Sequence, residues 1–215
     1  MHTVVDHFGA LMEGFAVTLA LIGVSTVLAL IGGTILASFR VSPIPLLQSI
    51  GSGYVETFRN VPTAVIYFMA LFAFPQLGIK IPFFCAAVAA LAIYYSAFFC
   101  EAVRSGINAI PVGQFEAGRS IGLTFGGSLR YIVLPQAFRS VVPPLINVFI
   151  ALTKSSAIAS AFGVAELLTR AEGVIAEESQ AVLWILAATS LLYLVITIPA
   201  GTIANIVEKK VAVAR

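Results

Sequence analysis

The chain has 215 residues, of which 60% are hydrophobic and only 10% are charged, and its formal net charge at pH 7 is +2. Its mean hydropathy is +1.02, whereas a soluble globular domain carries about 25% charged residues. This composition excludes an ordinary soluble domain, and so small a net charge does not indicate a nucleic-acid partner. We therefore expect a protein that lies in a lipid bilayer.

Five nearly uncharged runs approach or exceed the ~20 residues that a membrane-spanning helix needs. They extend from Gly14 to Phe39, Val61 to Ile79, Phe83 to Cys100, Ser140 to Thr153 (continuing past Lys154 to Val164) and Ala181 to Val207. Pro75 shortens the second run and Lys154 interrupts the fourth, so we expect one segment to be tilted or broken. The sequence thus predicts an all-α membrane protein with five transmembrane helices in a single domain, residues 1–215.

Basic residues lie mostly on one side of the five predicted spans. Those that share this side are Arg40, Arg59, Arg104, Arg119, Arg130, Arg139, Lys209, Lys210 and Arg215. Because cytoplasmic loops are enriched in Lys and Arg, this side and the C-terminus are predicted to be cytoplasmic. The N-terminus and the acidic segment from Glu166 to Glu178 are then predicted to lie outside. No basic region of the kind that begins a signal peptide is present at the N-terminus, so we expect none to be cleaved.

Residues 111–139 form a polar stretch that is punctuated by glycines. Its predicted elements are, in order, a helix from Gln114 to Ile121, a break at Gly122, another at Gly126 and Gly127, and a second short helix that ends near Leu134 and Pro135. Its charged residues include Glu116, Arg119 and Arg130. Its apolar residues, too hydrophobic to be left in water, are Phe115, Ile121, Leu123 and Phe125. A docking site for another protein explains both sets better than a solvated loop.

Lys154 is a candidate functional residue because it lies inside a predicted span. A charge at that depth costs roughly 2.5–3.5 kcal/mol on insertion scales, so it is expected to face a cavity or a partner. Snorkelling toward the outer surface is the alternative.

Other residues in and near the spans have structural expectations. Arg59 is either a cytoplasmic topology anchor or a residue that packs at the start of the second span. Glu101 and Arg104 are predicted to form an i,i+3 pair. Pro143 and Pro144 are predicted in the first turn of the fourth helix, and Pro199 is predicted to kink the fifth helix without ending it.

The polar stretch resembles the coupling ("EAA") loop of ABC-transporter permeases, in which Glu-Ala-Ala is followed by a glycine and then by a hydrophobic-Leu-Pro end. Here Glu116-Ala117-Gly118, Gly122 and Ile132-Val133-Leu134-Pro135 occupy those places. Gly118 stands where the family usually has the second alanine, which is expected to loosen the helix.

Further motifs are similar to the polar amino-acid uptake branch of that superfamily. They are Pro135-Gln136-Ala137-Phe138-Arg139, Val142-Pro143-Pro144 with Asn147, Arg59-Asn60-Val61-Pro62, Lys154-Ser155-Ser156 and Val164-Ala165-Glu166-Leu167. These motifs together cover essentially the whole chain. The ordered set is a more specific match to the family than any one motif.

The resemblance implies a transmembrane subunit of a type I importer in a prokaryotic plasma membrane. Two permease subunits, either identical or homologous, would form the pathway for a polar amino acid. Two ATP-binding subunits would hold the coupling loops, and an extracytoplasmic binding protein would deliver the substrate. Because the chain has no Gly-x-x-x-x-Gly-Lys-Ser/Thr phosphate loop, ATP and Mg²⁺ are expected on the partner ATPase, and this chain is expected to be neither an enzyme nor a holder of a cofactor or metal.

Three sets of site residues follow from the resemblance and the charge pattern. Docking of the ATPase is expected at Glu116, Ala117, Gly118, Arg119, Gly122, Leu134 and Pro135. The substrate pathway is expected at Arg59, Pro62, Lys154, Ser155 and Ser156. Contact with the binding protein is expected at Glu166, Arg170, Glu177 and Glu178. Since a cation and hydroxyls suit a carboxylate, glutamate or glutamine is favoured over a basic amino acid.

Two other functions fit the sequence less well. An intramembrane hydrolase needs an activated nucleophile with a base in reach, but no His lies within or between the later spans and no Gly-x-Ser-x-Gly motif occurs. A self-contained secondary transporter or channel more often shows paired repeats or several charges within the membrane. Five spans do not divide evenly, and Lys154 stands nearly alone.

Overall fold

The computed structural model describes residues 2–212, and each regular element in that range is helical. Four helices are long and apolar enough to span a bilayer, namely Phe8–Val41, Phe83–Asn108, Phe125–Phe162 and Ser179–Lys210. A pair bent by 101°, Pro45–Asn60 and Thr63–Gln76, supplies a fifth span when its two helices count as one. The predicted all-α fold with five membrane spans is confirmed on that count.

The helices of the described range are, in chain order, α1 (His2–Asp6), α2 (Phe8–Val41), α3 (Pro45–Asn60), α4 (Thr63–Gln76), α5 (Phe83–Asn108), α6 (Val112–Ser120), α7 (Phe125–Phe162), α8 (Leu167–Glu177) and α9 (Val182–Ala212). A π-helical turn at Met69–Ala73 lies in α4 and another at Leu129–Val133 lies in α7. The last turn of α7, Ala157–Phe162, is a 3-10 helix. Pro199 lies inside α9 and does not end it.

The second predicted run, Val61 to Ile79, corresponds to α4, and a further helix, α3, precedes it. The two helices are separated at Val61 and Pro62, whose backbones are extended with ψ of 137°. A residue before proline is driven out of the α region by the proline ring, so the helix cannot run through this point. The chain therefore forms two helices, and the sequence did not predict the first of them, α3.

Both π-helical turns end two residues before a proline, Pro75 in α4 and Pro135 in α7. In a regular α-helix a proline ring clashes with the carbonyl four residues earlier. The wider π turn moves that carbonyl away, which lets the helix continue past the proline. The prediction that a short helix ends near Leu134 and Pro135 is therefore wrong, because α7 runs on into the membrane.

The start of α7 corrects two more expectations. The Thr124 hydroxyl caps it by accepting a hydrogen bond from the Gly127 N–H at 3.1 Å. Gly126 and Gly127 consequently lie in its first turn and do not break it. Because α7 begins this early, Pro143 and Pro144 lie in its interior rather than in its first turn.

The centre of the bundle is α5, which packs closely against α2 and α7 through glycines. A Cβ added to Gly33 of α2 would lie 2.6 Å from Phe99 Cβ, and one added to Gly106 of α5 would lie 2.5 Å from Val141 Cα. Helices in lipid associate through such close backbone contacts, since no hydrophobic driving force acts between them. These contacts fix the positions of α5 and α7, which carry most of the residues of the candidate site.

The N-terminal end of α2 and the short helix α8 lie together at one end of the bundle. A Cβ added to Gly14 would lie 2.8 Å from Leu167 Cα, so α8 packs directly on α2. An ion pair at 3.5 Å joins Glu13 to Arg170, and His7 Nε2 lies 3.5 Å from Glu178 Oε1. The N-terminus and the acidic segment therefore share one end, as the predicted topology requires.

Candidate functional site

A cavity of about 380 Å³ lies between α4, α5 and α7. The residues that line it are Thr63, Tyr94, Tyr95, Phe98, Asn147, Val148, Ala151 and Ser155. The α5 and α7 residues recur at intervals of three or four, so each set shares one face of its helix. Thr63 is the first residue of α4, and the break after Asn60 therefore adjoins the cavity.

The cavity wall is aromatic with hydroxyl groups. The ring centre of Phe98 lies 5.1 Å from that of Tyr94 and 5.6 Å from that of Tyr95. The hydroxyls of Tyr95 and Ser155 are 2.6 Å apart and form a hydrogen bond. No lining residue is a Lys, Arg, Asp or Glu, so the cavity offers neutral donors and acceptors to a polar ligand.

Charged side chains gather beside the Phe98 wall, in what we call the arginine cluster: Arg40, Arg59, Arg104 and Glu101. Glu101 Oε1 accepts a hydrogen bond from Arg40 Nη1 and lies 3.8 Å from Nη1 of both Arg59 and Arg104. The Arg59 guanidinium lies 5.8 Å from the centre of the Phe98 ring. Three guanidinium groups thus face one carboxylate, which leaves an excess of positive charge next to the cavity.

These contacts settle two structural expectations. The Glu101–Arg104 pair is confirmed, although Arg40 is the closer partner of Glu101. Arg59 packs at the start of the second span, through Phe98 and Glu101, in agreement with the second of its two interpretations.

Only some of the other residues predicted for the substrate pathway lie at the cavity. Ser155 lines the cavity, and Pro62 directly precedes Thr63 of its wall. Ser156 is buried beside it and donates to the Thr153 carbonyl at 2.8 Å. Lys154 is exposed and is not among the lining residues. The sequence analysis missed Tyr94, Tyr95 and Phe98, although their spacing on one helix face was a signal.

The helix α6 presents the expected polar face. Glu116 is exposed, and the Arg119 guanidinium donates to the Leu123 carbonyl at 2.6 Å. Gly122 has a φ of +87°, which glycine adopts without a steric penalty. Two apolar side chains near the turn remain largely in solvent, with Ile121 77% and Phe125 66% exposed. The predicted glycine turn after the first helix is therefore confirmed.

Gly118 has a role opposite to the loosening expected from its sequence. A Cβ at this position would lie 2.7 Å from Ile132 Cδ1 and 2.9 Å from Ser128 Oγ. Glycine therefore allows α6 to pack closely on α7.

At the opposite end of the bundle, Glu166 is fully buried rather than exposed on the outer rim. It caps α8, since its Oε1 accepts a hydrogen bond from the Thr169 N–H at 2.9 Å. The expectation that Glu166 contacts an external protein is therefore wrong, because the side chain does not reach the surface. Arg170, Glu177 and Glu178 are exposed.

The two glutamates at the ends of α8 are shifted in opposite directions. Burial raises the pKa of Glu166, against hydrogen bonds from Thr169, Tyr193 and Thr18 that lower it. A hydrogen bond from the Thr3 side chain, helped by His7, lowers the pKa of the exposed Glu178. Only the second of these carboxylates is available at the outer surface.

A five-span helical bundle with an open cavity of aromatic and hydroxyl-bearing side chains, and a helical hairpin with a polar face at one end, has the architecture of a membrane transport subunit. Residues 29–213 match the family described as "Binding-protein-dependent transport system inner membrane component". The chain belongs to this family.

Relatives of this chain have been named for different substrates. It is 40% identical over 167 residues to the Bacillus subtilis "Probable glutamine ABC transporter permease protein GlnP", covering 78% of this chain and 77% of the relative. It is 36% identical over 204 residues to the Corynebacterium glutamicum "Glutamate transport system permease protein GluC", covering 89% and 90%. It is 37% identical over 162 residues to the Bacillus subtilis "Arginine transport system permease protein ArtQ", covering 75% and 74%.

A solved structure supports the fold in detail. The structure described as "Crystal structure of an amino acid ABC transporter with histidines" is similar with a TM-score of 0.87 and 31% identity, covering 96% of each chain. The permease fold predicted from the sequence is therefore confirmed.

Proposed function

We propose that this chain is half of the membrane pathway of an ATP-driven importer, and that the cavity between α4, α5 and α7 holds a polar amino acid in transit. The observation that carries the proposal is the Tyr95–Ser155 hydrogen bond in the cavity wall, within a chain of the binding-protein-dependent transport family. Ligand sites in transporters commonly lie beside a broken membrane helix, and the cavity adjoins the break between α3 and α4.

The charge around the cavity favours glutamine or glutamate as the substrate. The wall has no carboxylate that would pair with a basic side chain, and the nearest charged group in contact with the wall is Arg59, over Phe98. The positive arginine cluster attracts a carboxylate, which each α-amino acid carries and glutamate carries twice. Relatives named for glutamine and glutamate support this choice, and a relative named for arginine supplies the competing substrate to test.

Each end of the bundle is assigned a partner. One of two cytoplasmic ATP-binding subunits, which hold ATP and Mg²⁺, is proposed to dock on the exposed face around Glu116, Arg119 and Gly122. Leu134 and Pro135, at the start of the membrane part of α7, are proposed to belong to the same docking site. The exposed Arg170, Glu177 and Glu178 are proposed to contact the external binding protein. A second permease subunit, the same chain or a homologous one, would complete the pathway in a prokaryotic plasma membrane with the N-terminus outside.

The substrate assignment is tested by uptake into proteoliposomes that contain the permease, its ATPase and the loaded binding protein. We expect ATP-dependent uptake of glutamine or glutamate to exceed that of arginine. A preference for arginine would overturn the substrate assignment, and uptake without ATP would favour a self-contained secondary transporter.

Two variants test the site itself. Arg59→Met is expected to lower glutamate uptake more than Lys154→Met, because Arg59 touches the cavity wall and Lys154 does not line it. The two substitutions remove the same charge, so Lys154→Met is a matched control. A larger loss in Lys154→Met would place the pathway elsewhere.

A further inference from the structure

The buried Glu166 joins three helices through one carboxylate. Its Oε2 accepts hydrogen bonds from the Tyr193 hydroxyl of α9 at 2.9 Å and from the Thr18 hydroxyl of α2 at 3.3 Å. Its Oε1 accepts from the Thr169 N–H of α8. The Thr18 hydroxyl oxygen accepts in turn from the Leu167 N–H at 3.0 Å. One side chain thus joins α8 to both α2 and α9.

Capping of α8 does not by itself account for a glutamate at position 166. The preferred capping residues are Asn, Asp, Ser and Thr, which avoid the cost of burying a longer charged side chain. Burial of a carboxylate carries a large desolvation penalty, which the hydrogen bonds from Thr18, Thr169 and Tyr193 offset. Such a satisfied buried network holds one arrangement of the helices it joins.

The chain itself connects Glu166 to the cavity. Glu166 follows Phe162, the last residue of α7, by four residues. Ser155 of α7 bonds to Tyr95 in the cavity wall. A short stretch of backbone, residues 155–166, therefore joins the buried carboxylate to the cavity wall.

We propose that Glu166 is a positioning residue that transmits docking of the binding protein on α8 to the cavity. The inference rests on the proposed function, since it requires a partner that docks on α8. A displacement of α8 changes the Thr18 and Tyr193 contacts together, because one carboxylate holds both. The backbone between Glu166 and α7 then conveys the change to Ser155 and Tyr95.

The test measures ATP hydrolysis by the assembled transporter in proteoliposomes, with and without loaded binding protein. The variants are Glu166→Gln, Tyr193→Phe and the two combined. Energetic coupling between two sites commonly amounts to 5–150-fold, so we expect each single variant to lose about tenfold in stimulation. The unstimulated rate and the apparent affinity for the binding protein are expected to stay unchanged, because the exposed contact residues are intact. The double variant is expected to lose no more than either single one.

Glu172→Gln is the matched control, since it makes the same substitution at an exposed position of α8. Full stimulation in Glu166→Gln and Tyr193→Phe, or an equal fall in unstimulated and stimulated rates, would overturn the inference. If Glu166→Gln does not assemble, Tyr193→Phe decides, because it removes a single hydroxyl. A wild-type complex that shows no stimulation would instead overturn the proposed function, and this inference with it.

Discussion

The hydroxyl of Tyr95 lies 2.6 Å from that of Ser155 and links α5 to α7 in the wall of the cavity. We predict that Tyr95→Phe and Ser155→Ala each lower kcat/KM for uptake, because each removes the same hydrogen bond. A single hydrogen bond contributes about 0.5–1.5 kcal/mol, or up to about tenfold in kcat/KM. The measurement is uptake kinetics in proteoliposomes for both single variants and the double variant. Tyr94→Phe is the control, and an equal loss in that variant would contradict a specific role for the pair.

The close contact of Gly106 with Val141 gives a prediction about stability. In Gly106→Ala the new Cβ would lie 2.5 Å from Val141 Cα, so α5 and α7 must move apart. Overpacking of this kind costs about 1–3 kcal/mol, which thermal unfolding in detergent would record as a lower Tm. Gly23→Ala serves as the control, because nothing lies within 4 Å of the Cβ it adds. Similar Tm values for the two variants would show that the helices are not packed this tightly.

The sequence predicted the membrane spans and local turns well and the contacts between helices poorly, for physical reasons. Apolar runs that approach or exceed the length of a spanning helix specify spans almost by themselves, so the five spans were predictable. The helix α3 was not predicted, because it contains Gln48, Glu56 and Arg59 and lies outside the apolar runs. Hydropathy detects spans and does not detect an amphipathic helix that precedes one.

The candidate site shows the same division. Gly122 was predictable because a glycine turn is a local feature. The roles of Gly118 and Glu166 were not, because they depend on Ile132 and Ser128 in one case and on Thr18 and Tyr193 in the other. Contacts between residues so distant in the chain follow from helix packing, which a single sequence does not display. Lys154 is the clearest example, since its charge marked it as a pathway residue, while in the structure it is exposed and is not among the residues that line the cavity.

Glu101 holds the arginine cluster together, and its removal has a predictable effect. In Glu101→Gln the shape is kept, but Arg40, Arg59 and Arg104 lose their common carboxylate. Because these side chains are partly exposed, we expect a loss of only about 1 kcal/mol in the free energy of unfolding. Uptake is expected to fall by more than this small loss of stability would cause, since Arg59 is no longer held over Phe98. Glu56→Gln on the exposed surface of α3 is the matched control, and equal uptake by the two variants would argue against a positioning role.

The raised pKa of Glu166 predicts the pH dependence of stability. Since its pKa is higher in the folded protein than in the unfolded chain, the folded state binds more protons between the two values. The contribution of Glu166 to the free energy of unfolding is therefore largest below the ordinary carboxylate pKa and is lost as the pH rises through the folded value. Tyr193 and Tyr67, which interact electrostatically with Glu166, are phenols with an ordinary pKa of about 10.

The measurement for this prediction is the Tm of wild type minus that of Glu166→Gln between about pH 4 and pH 8. The glutamine side chain of the variant does not titrate, so the difference isolates this carboxylate from other groups such as Glu178. We expect the difference to fall as the pH rises. Parallel curves for the two proteins would show that Glu166 does not titrate differently on folding.

The turn after α6 gives the last prediction, which concerns coupling to the ATPase. Gly122 has a φ of +87° and nothing within 4 Å of an added Cβ, so Gly122→Val would strain the backbone without a collision. That strain is about 1–2 kcal/mol for an L-residue, and the turn relieves it by moving. The movement disturbs the Arg119–Leu123 hydrogen bond and the Phe115–Phe125 ring pair, whose centres are 5.2 Å apart.

We expect Gly122→Val and the charge reversal Glu116→Lys to abolish ATP-driven uptake while the membrane bundle stays folded. Gly113→Val is the matched control, because Gly113 lies in α6 with an ordinary helical backbone and nothing within 4 Å of the Cβ it would gain. Co-purification of the ATPase with each variant distinguishes lost docking from lost transmission after docking. Normal transport in both Gly122→Val and Glu116→Lys would remove this turn from the mechanism.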